Sequence, residues 1–358
     1  MIEHEPFTPA GRHELRMKIG NRDIGPSMPP LIIAEIGINH GGNLDVAKNM
    51  VKLAAMAGCE CVKHQTHIVE DEMTQEARSI KPPNASDSIW DIMERCSLTT
   101  EQEAELKRYS EQLGLTYLST PFSRKAADFL DEIDVPAFKI GSGECDNIPL
   151  IRHICRFGRP IIMSTGMHSI DSVRASVEEI ERHGIPYALL ECTNLYPSPP
   201  ENVSLLGMEE LREAFPNARI GFSDHSIGPE MAFAAAGLGA SIIERHFTDS
   251  RYREGPDIPC SMDPAELRLL VDRSGEIHKA LQLPKRRTPE EESVYRFARS
   301  SIVAERALEA GHVISEEDIW ARRPGTGEIP GNAFDRVIGR RLNRRVVRNQ
   351  QLTWDSLE

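Results

Sequence analysis

Eight short apolar runs, each closed by turn or polar residues, punctuate the chain before residue 250: LIIAEIG, CECVKHQ, LTYLST, AFKIGS, PIIMST, YALLEC, ARIGFSD and SIIERHF. Runs that are apolar on both parities read as strands buried on both faces, as in a parallel sheet. Amphipathic segments with helix start signals lie between most of them: Asn43 before LDVAKNMVKLAAMAG, Thr99 or Thr100 before EQEAELKRYSEQLG, and Ser169 before IDSVRASVEEIERHG. Gly58, Gly114 and Gly184 stand where helix ends favour a left-handed residue. Strand and helix alternating eight times predicts an α/β fold of the (β/α)8 TIM-barrel type. An open doubly wound sheet is the rival, but it would gather its polar residues at one switch point. Here polar residues end nearly all eight runs, as they do where eight loops surround one mouth.

The barrel is expected within residues 1–284, together with a hairpin in the first thirty residues, ending in KIGNRDIGPSMPP, that caps its floor. The stretch from 66 to 98 is long for a connection and reads as a segment that shapes or lids a site. A Pro-containing, highly charged linker is expected at 285–297, and the short runs RSSIVAE, HVIS and DRVIGR predict a small, mostly β domain at 298–358.

Charge narrows the function classes. A net charge of -13 argues against a general nucleic-acid binder, whose affinity rests on Lys and Arg neutralising phosphates. No apolar run approaches the roughly 18 residues of a spanning helix, and the N-terminus has no apolar signal core, so a cytoplasmic protein with no membrane partner is expected. The seven cysteines are scattered without a CxxC pair, which fits reduced thiols.

The strand ends offer Glu35 and Asn39, Lys63 and Gln65, Thr120, then Lys139, Ser142 and Glu144, and finally Ser164, Asn194, Ser223, His225 and His246. Two lysines with a row of hydroxyls and an amide suit a small polyanion such as a phosphorylated carboxylic acid. His225 and His246 end neighbouring strands, so their imidazoles can share one divalent ion that keeps positions open for water and substrate. Glu144 and Glu35 are candidate acid/base groups. No Walker loop, GxGxxG or GxSxG occurs at the expected places, which argues against a bound nucleotide and against a hydrolase triad.

Together IIAEIGINHGG, VKHQTHIVEDEM, LSTPFSR, KIGSGE, STGM, CTNLYP, SDHS, ERHFTD and EGPDIPCSMDP resemble, in order, the bacterial N-acetylneuraminate (sialic acid) synthase family, and ARSSIVAERALEAGHVISEEDIWARRPGTGEIP is similar to its antifreeze-like (SAF) domain. The resemblance implies a phosphoenolpyruvate site of Lys63, Thr120, Lys139, Ser142, Ser164, Asn194 and Ser223. It implies Mn2+ on His225 and His246, with Mg2+ or Co2+ as alternatives. Amino-sugar contacts would come from Gln65, Glu144, Tyr196 and Asp257, and from Arg323 donated by the partner in a domain-swapped homodimer. The implied reaction joins phosphoenolpyruvate to N-acetylmannosamine, giving N-acetylneuraminate and phosphate. A legionaminic or pseudaminic acid synthase using a 2,4-diacetamido-trideoxyhexose is the first alternative, and a metal-dependent aldolase on the same barrel is the second.

Overall fold

The computed structural model describes residues 17–82 and 85–358. It opens on a hairpin of β1 (Met17–Ile19) and β2 (Arg22–Ile24); the earlier part of the expected capping segment lies outside the described residues. Eight parallel strands follow: β3 (Leu31–Gly37), β4 (Cys61–Thr66), β5 (Thr116–Pro121), β6 (Phe138–Ile140), β7 (Ile161–Ser164), β8 (Tyr187–Cys192), β9 (Arg219–Asp224) and β10 (Ile242–His246). They join in the order β5-β4-β3-β10-β9-β8-β7-β6, and β5 packs beside β6. The last strand pairs with the first, Ile242 opposite Leu31 through His246 opposite Glu35. That pairing wraps the sheet into the expected barrel and removes the open-sheet alternative.

The helices are α1 (Leu44–Met56), α2 (Val69–Glu72), α3 (Ile89–Cys96), α4 (Thr100–Gln112), α5 (Arg124–Glu132), α6 (Ile148–Cys155), α7 (Ile170–Arg182), α8 (Gly207–Ala214), α9 (Glu230–Gly237) and α10 (Pro264–Leu281). Asn43, Thr99 and Ser169 cap α1, α4 and α7 through their side chains, which settles the start of α4 in favour of Thr99 and its capping box with Gln102. Each such cap contributes about 1 kcal/mol. The long connection after β4 carries α2 and α3 before it reaches α4.

Strand parity organises the interior. Leu31, Ile33, Cys61, Leu118, Ala137, Ile162, Ala188, Leu190 and Ile242 form an inner core with Met17, Ile19 and Ile24 of the hairpin, which closes the barrel floor. Their neighbours of opposite parity, among them Ile32, Val62, Phe138, Leu189, Phe222 and Ile243, belong to the outer core under the helices. Two residues further along the inward parity stand Glu35, Lys63, Thr120, Lys139, Ser164, Cys192 and Glu244, all buried. The lumen thus changes from apolar floor to charged upper layer within one pleat, because side chains on a strand repeat with period two.

The chain divides into two compact units, one ending at Leu283 and the other spanning Pro284–Glu358. In the second, α11 (Glu292–Ala298) precedes an antiparallel pair of β11 (Ser301–Ala304) and β12 (Ile319–Arg322) over a core that includes Ile302, Leu308, Ile314, Val337 and Leu352. The expected linker at 285–297 is therefore partly helical. Thr288 and Glu291 form a capping box, and Glu292 pairs with Arg296 one turn on, so its charges favour a helix. All seven cysteines are free and buried. Among the described residues no helix is long and apolar enough to cross a membrane.

Gly221 lies on the inward parity of β9, where an added Cβ would stand 2.5 Å from the Ile242 carbonyl oxygen and 2.5 Å from Leu190 Cδ2. Gly221→Val should cost about 1–3 kcal/mol through overpacking, read as a lower urea midpoint; an unchanged midpoint would show that the lumen yields at this point.

Candidate active site

Four ionisable side chains, one from each of β3, β4, β6 and β10, meet in the upper lumen. Lys63 Nζ lies 2.7 Å from Glu35 Oε2 and 3.6 Å from Glu244 Oε1, and Lys139 Nζ lies 3.5 Å from the same Glu244 oxygen. Each lysine also donates to a hydroxyl, Lys63 to Thr120 Oγ1 at 3.0 Å and Lys139 to Ser164 Oγ at 2.7 Å. Burial would lower the Lys63 pKa, but Glu244 and Glu35 outweigh it and hold the ammonium above its ordinary value. Burial prevails at Lys139 and pulls it down despite Glu244. Glu244 shows the converse: burial would raise it, and Lys139 and Lys63 hold it down in the ionised form. Burial pushes Glu35 upward against Lys63.

The two histidines stand above this layer, with ring centroids 5.3 Å apart. His225 Nδ1 is 2.8 Å from the Thr193 carbonyl oxygen, a contact that places the proton on Nδ1 and leaves the Nε2 lone pair free. Tyr196 packs on the His225 ring at 4.2 Å and meets His246 edge-on at 5.8 Å. Among the described residues His246 Nδ1 is buried without a hydrogen-bond partner, 3.6 Å from Asp257 Oδ2. Burial lowers the pKa of both rings, and at His246 the neighbouring His225 adds to the effect, so both are neutral at neutral pH. Burial also pushes the Asp257 carboxyl up to about 6. Neutral imidazoles with this tautomer could hold a divalent ion completed by water and substrate. Among the described residues no group of three or more His, Cys, Asp or Glu could do so alone.

The other sequence-predicted residues are placed differently. Ser142, Asn194 and Ser223 join the lumen side: Ser142 Oγ accepts from Gly166 N at 3.0 Å, Asn194 Oδ1 accepts from the Cys192 thiol at 3.3 Å, and Ser223 is buried on β9. The backbone at Gly166 comes so close that an added Cβ would stand 1.9 Å from Asn194 Oδ1. Gln65 Nε2 donates to Glu35 Oε1 at 2.7 Å. Glu144 stands off at the rim, where it accepts from Asn147 Nδ2 and lines a cavity of 510 Å³ with Glu72, Phe122 and Arg124. Burial raises its pKa against that hydrogen bond. Asn39 is spent on structure, donating to the Phe247 carbonyl and to Ser261 Oγ. Arg323 is exposed just past β12 in the second unit.

Comparison with known proteins decides the family. The NeuB family model matches residues 50–285, and the SAF domain model matches residues 299–358. The chain belongs to the NeuB family. It is 33% identical to an N,N'-diacetyllegionaminic acid synthase of Legionella pneumophila, over 95% of this chain and 98% of that one. To the human N-acetylneuraminate-9-phosphate synthase it is 31% identical, with 90% of each chain covered. The crystal structure of an N-acetylneuraminic acid synthetase from Leptospira borgpetersenii superposes with a TM-score of 0.71 at 29% identity, covering 78% of this chain and 94% of that one. The chain is thus an enzyme of the sialic, legionaminic or pseudaminic acid synthase family.

Within this NeuB barrel, two features escaped the sequence reasoning. Glu244 sits two residues before His246 on the same parity, a spacing that could have revealed it inside SIIERHF. The histidines of KHQTH also face opposite ways. His64 turns outward to Glu103 at 3.2 Å and His40 at 3.0 Å, whereas His67 turns to the mouth, where Nε2 lies 3.2 Å from Gln65 Oε1.

A second cavity of 780 Å³ opens between β7 and β8, lined by Asn194 and Cys192 on one side and by Glu191 and Glu210 on the other. Burial, reinforced by Glu210, pushes the Glu191 carboxyl from 4.5 up to about 7. Between those values the folded chain holds a proton that the unfolded chain releases, so stability falls as pH rises through that window. Glu191→Gln should therefore gain on the parent by on the order of 1–2 kcal/mol at pH 8 relative to pH 4. Denaturant midpoints at both pH values check this, and an equal difference at the two would remove the shift.

Proposed function

We propose that the chain condenses phosphoenolpyruvate with open-chain N-acetylmannosamine, giving N-acetylneuraminate and phosphate, with a divalent ion, Mn2+ in first place, on His225 and His246. The observation that carries this reading is the meeting of two lysines, flanked by hydroxyls, with two neutral imidazoles at one barrel mouth. A divalent ion bound there supplies Lewis-acid polarisation of the sugar aldehyde.

Lys63 and Lys139, with Thr120, Ser142, Ser164, Asn194 and Ser223, orient the carboxylate and phosphate of phosphoenolpyruvate by charge-assisted hydrogen bonds. Glu35 and Glu244 keep the ammonium groups in register before the substrate arrives, which lowers the reorganisation needed on binding. Gln65, Tyr196 and Asp257 contact the sugar and hold its aldehyde against the methylene carbon that attacks it. Water adds to the resulting oxocarbenium carbon, and collapse of the tetrahedral intermediate expels phosphate by C–O cleavage. Glu144, its pKa raised at the rim, is assigned the proton transfer. Arg323 completes the sugar site from the SAF domain of a second copy in a swapped homodimer.

A second reading keeps the mechanism and changes the sugar. The Legionella relative matches along nearly its whole length and is named for N,N'-diacetyllegionaminic acid, which favours a 2,4-diacetamido-trideoxyhexose as the alternative acceptor. Assaying both sugars with phosphoenolpyruvate, in Mn2+ or EDTA, distinguishes them by which yields equimolar phosphate and 2-keto-3-deoxy acid. No phosphate from either sugar would return the aldolase alternative. His225→Ala should reduce turnover on the order of a hundredfold or more, since Lewis-acid stabilisation contributes several kcal/mol; near-normal turnover at unchanged metal content would remove the histidine assignment.

A further inference from the structure

Gln65 is locked from two sides. Its amide nitrogen donates to Glu35 Oε1 at 2.7 Å, and the other Glu35 oxygen lies 2.7 Å from Lys63 Nζ. A flipped amide would set its oxygen against that carboxylate, so the carbonyl oxygen must face the other way. There it meets His67 Nε2 at 3.2 Å, while Nδ1 of the same ring lies 2.8 Å from Glu72 Oε2 on α2. Each ring nitrogen thus faces an oxygen, the Gln65 carbonyl on one side and the Glu72 carboxylate on the other. The ring plane is fixed as well, because His67 stacks on Phe122 with centroids 4.4 Å apart and 14° between planes.

The backbone is shaped around the same amide. At Gly37, where the β3–β4 register shifts, φ is 44° and an added Cβ would stand 3.1 Å from both Gln65 Nε2 and Glu35 Oε1. Held this way, Gln65 still has one N–H and one carbonyl lone pair to offer. A histidine with a purely structural task could spend its second nitrogen on backbone. This one spends it on a side chain that leads into the lysine layer.

We infer that His67, braced by Glu72, is a positioning residue that orients the Gln65 amide for the amino sugar, so that the long segment after β4 bears on how the sugar is held. The inference rests on the assignment of Gln65 as a sugar contact. Its test is a double-mutant cycle in the full-length enzyme with the sugar that is turned over, N-acetylmannosamine or the 2,4-diacetamido-trideoxyhexose. His67→Phe keeps the stack on Phe122 and removes both hydrogen bonds. It should raise the sugar KM roughly tenfold, about the size of one lost hydrogen bond, and leave the KM for phosphoenolpyruvate within about twofold.

His67→Gln, whose amide N–H can reach the same acceptor, should recover most of the loss. Gln65→Ala with His67→Phe should be no worse than Gln65→Ala alone. If His67→Phe does not fold, Glu72→Ala carries the same comparison. Additive effects in the double variant, or equal rises in both KM values, would overturn the positioning role. A Gln65→Ala enzyme with an unchanged sugar KM would instead remove the sugar-contact assignment; a raised one beside an unaffected His67→Phe enzyme would remove the positioning role alone.

Discussion

Two lysines buried in the lumen of a parallel barrel are the constraint on which the site depends. Removing an ammonium group from water costs several kcal/mol even after relaxation, and two of them together would repel. The fold meets this with Glu35 and Glu244, two carboxylates on the adjacent strands β3 and β10, so that Glu244 lies within 3.6 Å of both lysines. The arrangement is electrically balanced, and Thr120 and Ser164 take up further donors. Breaking one member would leave an uncompensated charge in a buried layer, so this layer belongs as much to folding as to chemistry. The imidazoles one step further up are held neutral by the same burial.

Parity explains why these groups converge. The hairpin and the first inward residues of the strands fill the floor with apolar side chains, and the next inward residues find space only nearer the mouth. The strands deliver their polar groups to one region because the barrel fixes the register between neighbouring strands. Gly221 and Gly166 serve the same economy of space, leaving room for Leu190 and for the Asn194 amide.

Much of this was legible in the sequence. The eight runs, the caps at Asn43, Thr99 and Ser169 and the polar residues at strand ends follow from periodicity and local hydrogen-bonding chemistry, which act over a few residues. What stayed hidden depends on distance in space. Glu244 lies in a run that looks like apolar core, and its role exists only because β4 and β6 bring Lys63 and Lys139 to it. Asn39 ends the first run like a site residue, yet its amide is drawn to Phe247 and Ser261, more than two hundred positions away. Glu144 follows KIGSG as expected, but its bend carries it to the rim beside Asn147. The linker helix α11 carries charge pairs one turn apart within a segment whose composition read only as a charged linker.

If this layer binds phosphoenolpyruvate for attack through carbon, phosphate leaves by C–O cleavage. This can be tested with phosphoenolpyruvate carrying 18O in the oxygen that bridges carbon and phosphorus, turned over with the accepted sugar and followed by mass spectrometry of both products. The label should leave in inorganic phosphate with none in the keto acid; label retained in the keto acid would mean P–O cleavage and would rule this mechanism out.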